Sequence, residues 1–128
     1  MSQQDDEHHQ IAMVPIRDES TSTSLNHLAF RVDSFDDIKE MSGRLAACDT
    51  RILPLSHGNT LSLYFSDPEG NGLEVFWDTP WHVAQPQGIP WDTTLDEAGA
   101  LAFVEESFKD EPSFTLRENA SGTFVNRP

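Results

Sequence analysis

The chain has 128 residues, 37% of them hydrophobic, and this size and composition suit one domain with a single core. Its formal charge of −14 argues against binding to nucleic acid or to an anionic membrane, because the phosphates of both would repel it. Cys48 is the single cysteine, so no disulfide can form within the chain. With no apolar run long enough to span a bilayer and an acidic start unlike a signal peptide, the sequence predicts a cytoplasmic protein.

A short strand, a polar loop and a second strand are predicted before the first helix. Residues 9–14 have the pattern of a strand that Pro15 stops, and a Ser- and Thr-rich loop covers 17–24. In the following strand, 25–32, side chains alternate between two faces. His27 is therefore expected on the face opposite to the apolar residues of this strand.

The first predicted helix is marked by a cap and by the spacing of its apolar residues. Ser34 and Asp37 have the form of a capping box, in which each side chain bonds to the backbone of the other residue. Apolar positions three or four residues apart then share one helical face. We expect that face to be buried, and it consists of Ile38, Met41, Leu45 and Cys48.

Three strands are predicted after this helix. The first, 51–55, contains Pro54 and is expected at a sheet edge, since proline has no N–H to donate. The other two, 61–66 and 72–77, are joined by Asp-Pro-Glu-Gly-Asn, whose proline, glycine and asparagine suit a tight hairpin turn. The predicted order is therefore strand, helix and three strands.

Three polar side chains are predicted to converge on one face of this sheet. Tyr64 and Glu74 alternate with apolar residues in their strands, as His27 does in the first strand. If the apolar faces share one core, these three side chains project together from the opposite side. An imidazole and a carboxylate are two of the ligands that a divalent metal site of mixed histidine and carboxylate type requires.

The C-terminal part is predicted to add one helix to the sheet. Residues 78–91 are rich in proline and tryptophan and have no regular pattern. Thr94 with Glu97 has the form of a second capping box. The helix that follows has the apolar positions Ala98, Leu101, Val104 and Phe108.

The order of elements and the run from His57 to Phe76 resemble the vicinal oxygen chelate superfamily, which includes glyoxalase I, bleomycin-resistance proteins and type I extradiol dioxygenases. This resemblance implies an α+β fold, with a single βαβββ module over 23–78 that forms a mixed, curved sheet. Residues 1–22 would carry the end strand of a preceding module, and 79–128 would form a Pro- and Trp-rich extension with one helix. In this superfamily such modules pair to form a cup around a metal.

Within the superfamily, the chain is most similar to the last module of an extradiol ring-cleavage dioxygenase. The resemblance implies that His27 and Glu74 bind a divalent metal, first of all Fe(II), with Mn, Ni and Zn as alternatives. A third ligand, a histidine, would come from a preceding module that the sequence does not contain. We therefore expect either that missing module or a second copy of the chain, in a dimer, as partner. The implied substrates are O2 and a catechol-type aromatic diol, in the breakdown of aromatic compounds.

Further residues match positions around the bound diol in these dioxygenases. The resemblance implies catalytic roles for His9, His57 and Tyr64, as proton acceptors or hydrogen-bond donors. His9 belongs to a His-His stretch similar to the one that ends the preceding module of those enzymes. Phe76 and Trp81 would wall the substrate pocket.

Other functions are open at this point. A glyoxalase-type lyase or isomerase would use a different divalent metal, and two copies of the chain would supply two His27 and two Glu74 ligands. A metal-free binding module like the bleomycin-resistance proteins fits the acidity and the three tryptophans, but it has no need of His27 and Glu74. An inactive fragment of a longer enzyme is the last alternative.

Overall fold

Seven strands and three helices make up residues 25–120, the part of the chain that this computed structural model describes. In chain order they are β1 (Leu28–Val32), α1 (Phe35–Ala47), β2 (Leu53–Ser56), β3 (Thr60–Ser66), β4 (Gly72–Asp78), β5 (Trp81–His82), β6 (Ile89–Pro90), α2 (Glu97–Phe108), β7 (Thr115–Leu116) and α3 (Arg117–Ala120). The predicted α+β class is confirmed, and the first five elements have the order βαβββ. The predicted strand 9–14, with His9, lies outside the described residues.

Five strands form one mixed sheet in the order β1-β4-β3-β2-β6. β1 runs parallel to β4, and the other neighbouring pairs are antiparallel. In the turn between β3 and β4, Gly70 has a φ of 85°, which a residue without a Cβ adopts easily. Asp67 Oδ1 accepts from the backbone N–H of Asn71 at 2.8 Å and so closes the same turn. The resulting register places Tyr64 directly opposite Glu74.

β2 is not an edge strand, so that prediction was wrong. β6, from the C-terminal part, pairs with it at Leu55 and Ser56. Pro54 pairs with Leu63 of β3, and on its other side its carbonyl accepts from the backbone N–H of Trp91, just beyond β6, at 3.4 Å. Proline has no N–H to return this bond, so the ladder ends there. Among the described residues, β1 lies at the free edge on the other side of the sheet.

The core lies on the helix-bearing face of this sheet. Leu61 and Leu63 of β3 are fully buried in one cluster with Ile38 of α1 and Val104 of α2. Trp91 joins this cluster, and its indole Nε1 donates to a carbonyl of β3 at 3.2 Å. Since side chains alternate along a strand, the residues between these leucines point to the opposite face.

The first helix begins as predicted. Ser34 Oγ accepts from Asp37 N at 3.1 Å, and Asp37 Oδ2 accepts from Ser34 N at 2.9 Å, which completes the capping box. Ile38 is buried, and Met41 packs against the core. Cys48 is exposed, and its predicted burial was wrong, because it is the C-cap residue beyond the last turn of α1.

The second predicted capping box was wrong. Asp96 caps α2, and its carboxylate accepts from a backbone N–H three residues further on at 2.8 Å. Thr94 instead donates through its backbone N–H and its hydroxyl to the Asp92 carboxylate in the preceding loop. The buried face of α2 accordingly begins with Ala100 and not with Ala98. None of the helices within residues 25–120 is long and apolar enough to cross a membrane.

Replacing Gly58 by alanine is expected to destabilise the fold, whereas replacing Gly43 is expected to stabilise it. Gly58 has a φ of 81°, and a Cβ there would overlap the Val83 side chain. Gly43 is exposed in α1 with open space at its Cβ position, so alanine adds helix propensity. Denaturant unfolding should show Gly58→Ala lowering the free energy of unfolding by about 2 kcal/mol or more. Gly43→Ala should raise it by up to about 1 kcal/mol, and effects of the same sign would contradict this packing.

Candidate active site

The sheet face opposite the core carries the candidate site, and we call it the site face. Tyr64 of β3 and Glu74 of β4 lie on it side by side, and Glu74 is buried, with 7% exposure. His27 stands immediately before β1, the strand on the other side of β4. The rings of His27 and Tyr64 meet edge to face with their centroids 5.2 Å apart. The structure thus brings together three side chains from three strands, as the alternation predicts.

His27 and Glu74 face each other through one ring nitrogen and one carboxylate oxygen. Nε2 of His27 lies 3.1 Å from Oε2 of Glu74. The other ring nitrogen, Nδ1, contacts the amide oxygen of Asn26. Because an amide oxygen only accepts, Nδ1 carries a hydrogen, and Nε2 is the nitrogen available for a second proton or for a metal ion. A proton or a metal ion on Nε2 would place a positive charge beside the Glu74 carboxylate and neutralise it.

The separation of these two atoms fits one edge of a metal coordination sphere. Two ligands that are each about 2.1 Å from a metal, at a right angle, lie about 3 Å apart. An imidazole and a carboxylate are also a donor set that Fe(II), Mn, Ni and Zn accept. Among residues 25–120, no group of three His, Cys, Asp or Glu side chains could hold a metal ion. A third protein ligand would therefore have to come from outside these residues.

Tyr64 connects this pair with a second histidine. Its hydroxyl lies 2.9 Å from Nε2 of His57. Burial raises the pKa of the Tyr64 phenol, and the negative charge of Glu74 and a hydrogen bond to it raise that pKa further. The phenol is therefore protonated at neutral pH, and it has a proton to share between the histidine and the carboxylate.

The backbone of the C-terminal part holds His57 in one tautomer. Nδ1 of His57 contacts the carbonyl oxygen of Gln87, which can only accept, so Nδ1 carries a hydrogen. In the neutral ring Nε2 is then an acceptor, and it faces the Tyr64 hydroxyl. The Gln85 side chain also donates to the carbonyl oxygen of His57 at 2.8 Å, which anchors the loop against this residue. A path of polar contacts thus leads from His57 through Tyr64 to the histidine–carboxylate pair.

The remaining predicted site residues lie in different places. Phe76 is half-buried on the site face, two residues along β4 from Glu74. Trp81 comes after the end of β4, about 13 Å or more of strand away from Glu74. Its ring stacks on Phe114 at 4.9 Å and joins the core contacts, because the chain turns there into the small β5–β7 sheet. The structure therefore does not bring Trp81 beside the pair, and His9 lies outside the described residues.

Two contacts at this site were not predicted from the sequence. Asn26 directly precedes His27, and an amide oxygen commonly accepts from a ring N–H. The position of Asn26 in the sequence could therefore have indicated this contact. Gln87 contacts His57 through its backbone carbonyl. Every residue has such a carbonyl, so the residue type gives no indication of the contact. The fold alone brings that carbonyl, 30 residues along the chain, to His57.

The chain is similar in sequence to two dioxygenases from Rhodococcus globerulus. Biphenyl-2,3-diol 1,2-dioxygenase 2 is 26% identical over 110 residues, which cover 71% of this chain and 58% of that protein. Biphenyl-2,3-diol 1,2-dioxygenase 3 is 35% identical over 80 residues, which cover 56% of this chain and 41% of that protein. The predicted resemblance to the vicinal oxygen chelate superfamily is confirmed.

The chain spans about half the length of these two relatives. Among solved structures, lactoylglutathione lyase from Agrobacterium tumefaciens aligns with 54% of this chain and 52% of its own, at 24% identity and a TM-score of 0.38. No family model matches the chain.

An ultraviolet titration of Tyr64 tests the site geometry, because Tyr64 is the single tyrosine of the chain. In the folded protein we expect tyrosinate to form only well above the ordinary pKa of about 10, since burial and Glu74 disfavour the phenolate. In denaturant the same phenol should ionise near its ordinary value. Since the pKa is higher in the folded state, the free energy of unfolding should fall as pH rises above the unfolded-state value.

The variant Tyr64→Phe is the control for this titration. It should abolish the tyrosinate absorbance and remove that part of the alkaline loss of stability. Ionisation near the ordinary pKa, in a chain that circular dichroism shows to be folded, would contradict the burial of Tyr64 beside Glu74.

Proposed function

We propose that the chain is the metal-binding module of an extradiol-type dioxygenase, which cleaves a catechol-type aromatic diol with Fe(II) and O2. One observation carries the proposal: His27 Nε2 and Glu74 Oε2 meet at 3.1 Å beside Tyr64, in a chain similar to two diol dioxygenases. A buried carboxylate is costly unless partners offset its lost hydration. A metal ion held by Glu74 and His27 would be such a partner, and this supports a metal ion at this point of the site face.

In this proposal His27 and Glu74 hold the iron, and a second module or a second copy of the chain supplies the third ligand. Fe(II) held there would supply redox chemistry toward a diol and O2. Tyr64, protonated at neutral pH, donates its proton to Nε2 of His57, and its oxygen accepts a hydrogen bond from a substrate hydroxyl beside the carboxylate. Nε2 of His57 accepts the proton that Tyr64 passes on when a substrate hydroxyl loses its own. Phe76 gives the aromatic ring an apolar wall.

The free edge of the sheet supports a partner. Among the described residues, β1 has a neighbouring strand on one side only. Leu28 and Phe30 on this strand are 50% and 54% exposed. An open edge strand with exposed apolar side chains favours association with another strand or another chain. A partner along this edge would cover these side chains on the core face and would also lie beside His27 on the site face, where it would supply the third ligand.

A glyoxalase-type lyase or isomerase is the second candidate. It is favoured by the donor set, because His27 and Glu74 have no third His, Cys, Asp or Glu ligand beside them within residues 25–120. A symmetric pair of chains would bring two copies of each residue together as four ligands. Activity with Ni or Zn and none with Fe(II), in a metal-exchange series, would favour this candidate. A metal-free binding module would have no need of a buried Glu74 that faces His27.

Oxygen uptake tests the proposed reaction. We expect the Fe(II)-loaded full chain to consume O2 with biphenyl-2,3-diol, the compound in the names of its relatives. Tyr64→Phe should lower kcat by about 100-fold or more, because it removes the proton-carrying hydroxyl, without lowering iron occupancy. Glu40→Gln, on the exposed face of α1, is the matched surface control and should change neither value.

The comparison enzyme for this assay is the dioxygenase 3 of Rhodococcus globerulus. Absence of oxygen uptake with every catechol tested, at full iron occupancy and with the comparison enzyme active, would contradict the proposed reaction. Uptake that Tyr64→Phe leaves unchanged would contradict the role given to the phenol.

A further inference from the structure

A groove of about 560 Å³ opens beside Tyr64 on the β2 side of the sheet. Its volume is that of a site for a small organic molecule. Leu53, which also lines the groove, stands opposite Tyr64 in the register of β2 and β3 and is 53% exposed. The groove thus offers an apolar surface continuous with the tyrosine of the candidate site.

Arg51 is the cation in this groove, and it is unpaired within the described part of the chain. Every other Lys or Arg among residues 25–120 has an ion pair or a hydrogen bond. These contacts join Arg31 and Arg117 to Asp78, Arg44 to Glu40, Lys109 to Glu106 and Lys39 to the carbonyl of Leu95. Within residues 25–120 Arg51 has no such partner, so none of these residues neutralises its guanidinium.

The carboxylate that lines the same groove does not neutralise Arg51. Asp67 accepts hydrogen bonds from Glu69 N at 2.9 Å and from Asn71 N and Nδ2 at 2.8 Å each. These bonds, first of all the one from the Asn71 side chain, lower the pKa of Asp67 and hold its charge in the turn between β3 and β4. The groove therefore keeps a free guanidinium next to an exposed leucine.

We propose that this groove binds a side arm of the substrate, and that the arm is an apolar chain that ends in a carboxylate. The inference rests on the proposed function, because the diol ring is placed at Tyr64. With the ring at Tyr64, the arm extends toward β2 and contacts Leu53. Arg51 lies two residues before Leu53 and pairs with the carboxylate of the arm through a charge-assisted hydrogen bond. The substrate class is thus an aryl diol with a carboxyalkyl substituent.

Binding of an unreactive acid to the metal-free full chain tests the groove apart from the reaction. The probe is 3-phenylpropanoate, and 3-phenylpropanamide is its uncharged match. We expect the acid to bind at least about tenfold more tightly than the amide, and to shift the NMR signals of Leu53 and Tyr64. Arg51→Gln should abolish the preference, whereas Arg44→Gln, the same charge change on the exposed part of α1, should leave it intact. Equal binding of acid and amide, or equal losses in both variants, would overturn the inference.

Turnover by the Fe(II)-loaded chain separates this inference from the proposed function. The KM for a catechol with a carboxyethyl arm should lie at least about tenfold below that for a catechol with a propyl arm. Arg51→Gln should remove this difference in KM, whereas Arg44→Gln should leave it intact. If the acid preference in binding is present but neither catechol consumes O2, the proposed reaction is overturned and the groove is supported as an acid-binding site. If both catechols are cleaved with equal KM values, the groove inference is overturned and the reaction is supported.

Discussion

The buried carboxylate of Glu74 is the group on which the whole site face depends. At 7% exposure it has lost most of its hydration, so it needs partners that offset this loss. His27 and Tyr64 supply them from the two strands that flank β4. The chain runs from β1 through α1, β2 and β3 before it reaches β4, and β1 then pairs with β4 in parallel. This strand order places both partners beside the carboxylate.

The register of the sheet therefore determines the chemistry of the site. Val75 points into the core, so its neighbour Glu74 points to the site face. A slip of one residue between β3 and β4 would turn the carboxylate into the core and an apolar side chain toward the site. The turn at Asp67 prevents this slip, because its side chain bonds to the Asn71 amide at 2.8 Å. The turn thus keeps Glu74 on the site face, although none of its residues belongs to the candidate site.

Local rules made much of this arrangement predictable from the sequence. The alternation of apolar and polar residues was sufficient to place Tyr64 and Glu74 on one face, because strand geometry leaves two choices for each side chain. The sequence is less informative where distant segments decide the outcome. Trp81 has the residue type of a pocket wall, but its packing follows from a small sheet formed with residues beyond α2. The contact between His57 and Gln87 uses a backbone carbonyl, so no side-chain pattern indicates it.

An anaerobic Fe(II) titration by calorimetry, on the native chain and on His27→Ala and Glu74→Gln, tests whether these two residues form a metal site. We expect binding to the native chain and a loss of affinity of at least about 100-fold in each variant. His82→Gln, a histidine in β5 outside the site face, should bind iron like the native chain. One iron per chain supports the dioxygenase-type site, and one per two chains supports the symmetric alternative. Absence of binding to the native chain, or equal binding to the native chain and to His27→Ala, would contradict a metal site formed by His27 and Glu74.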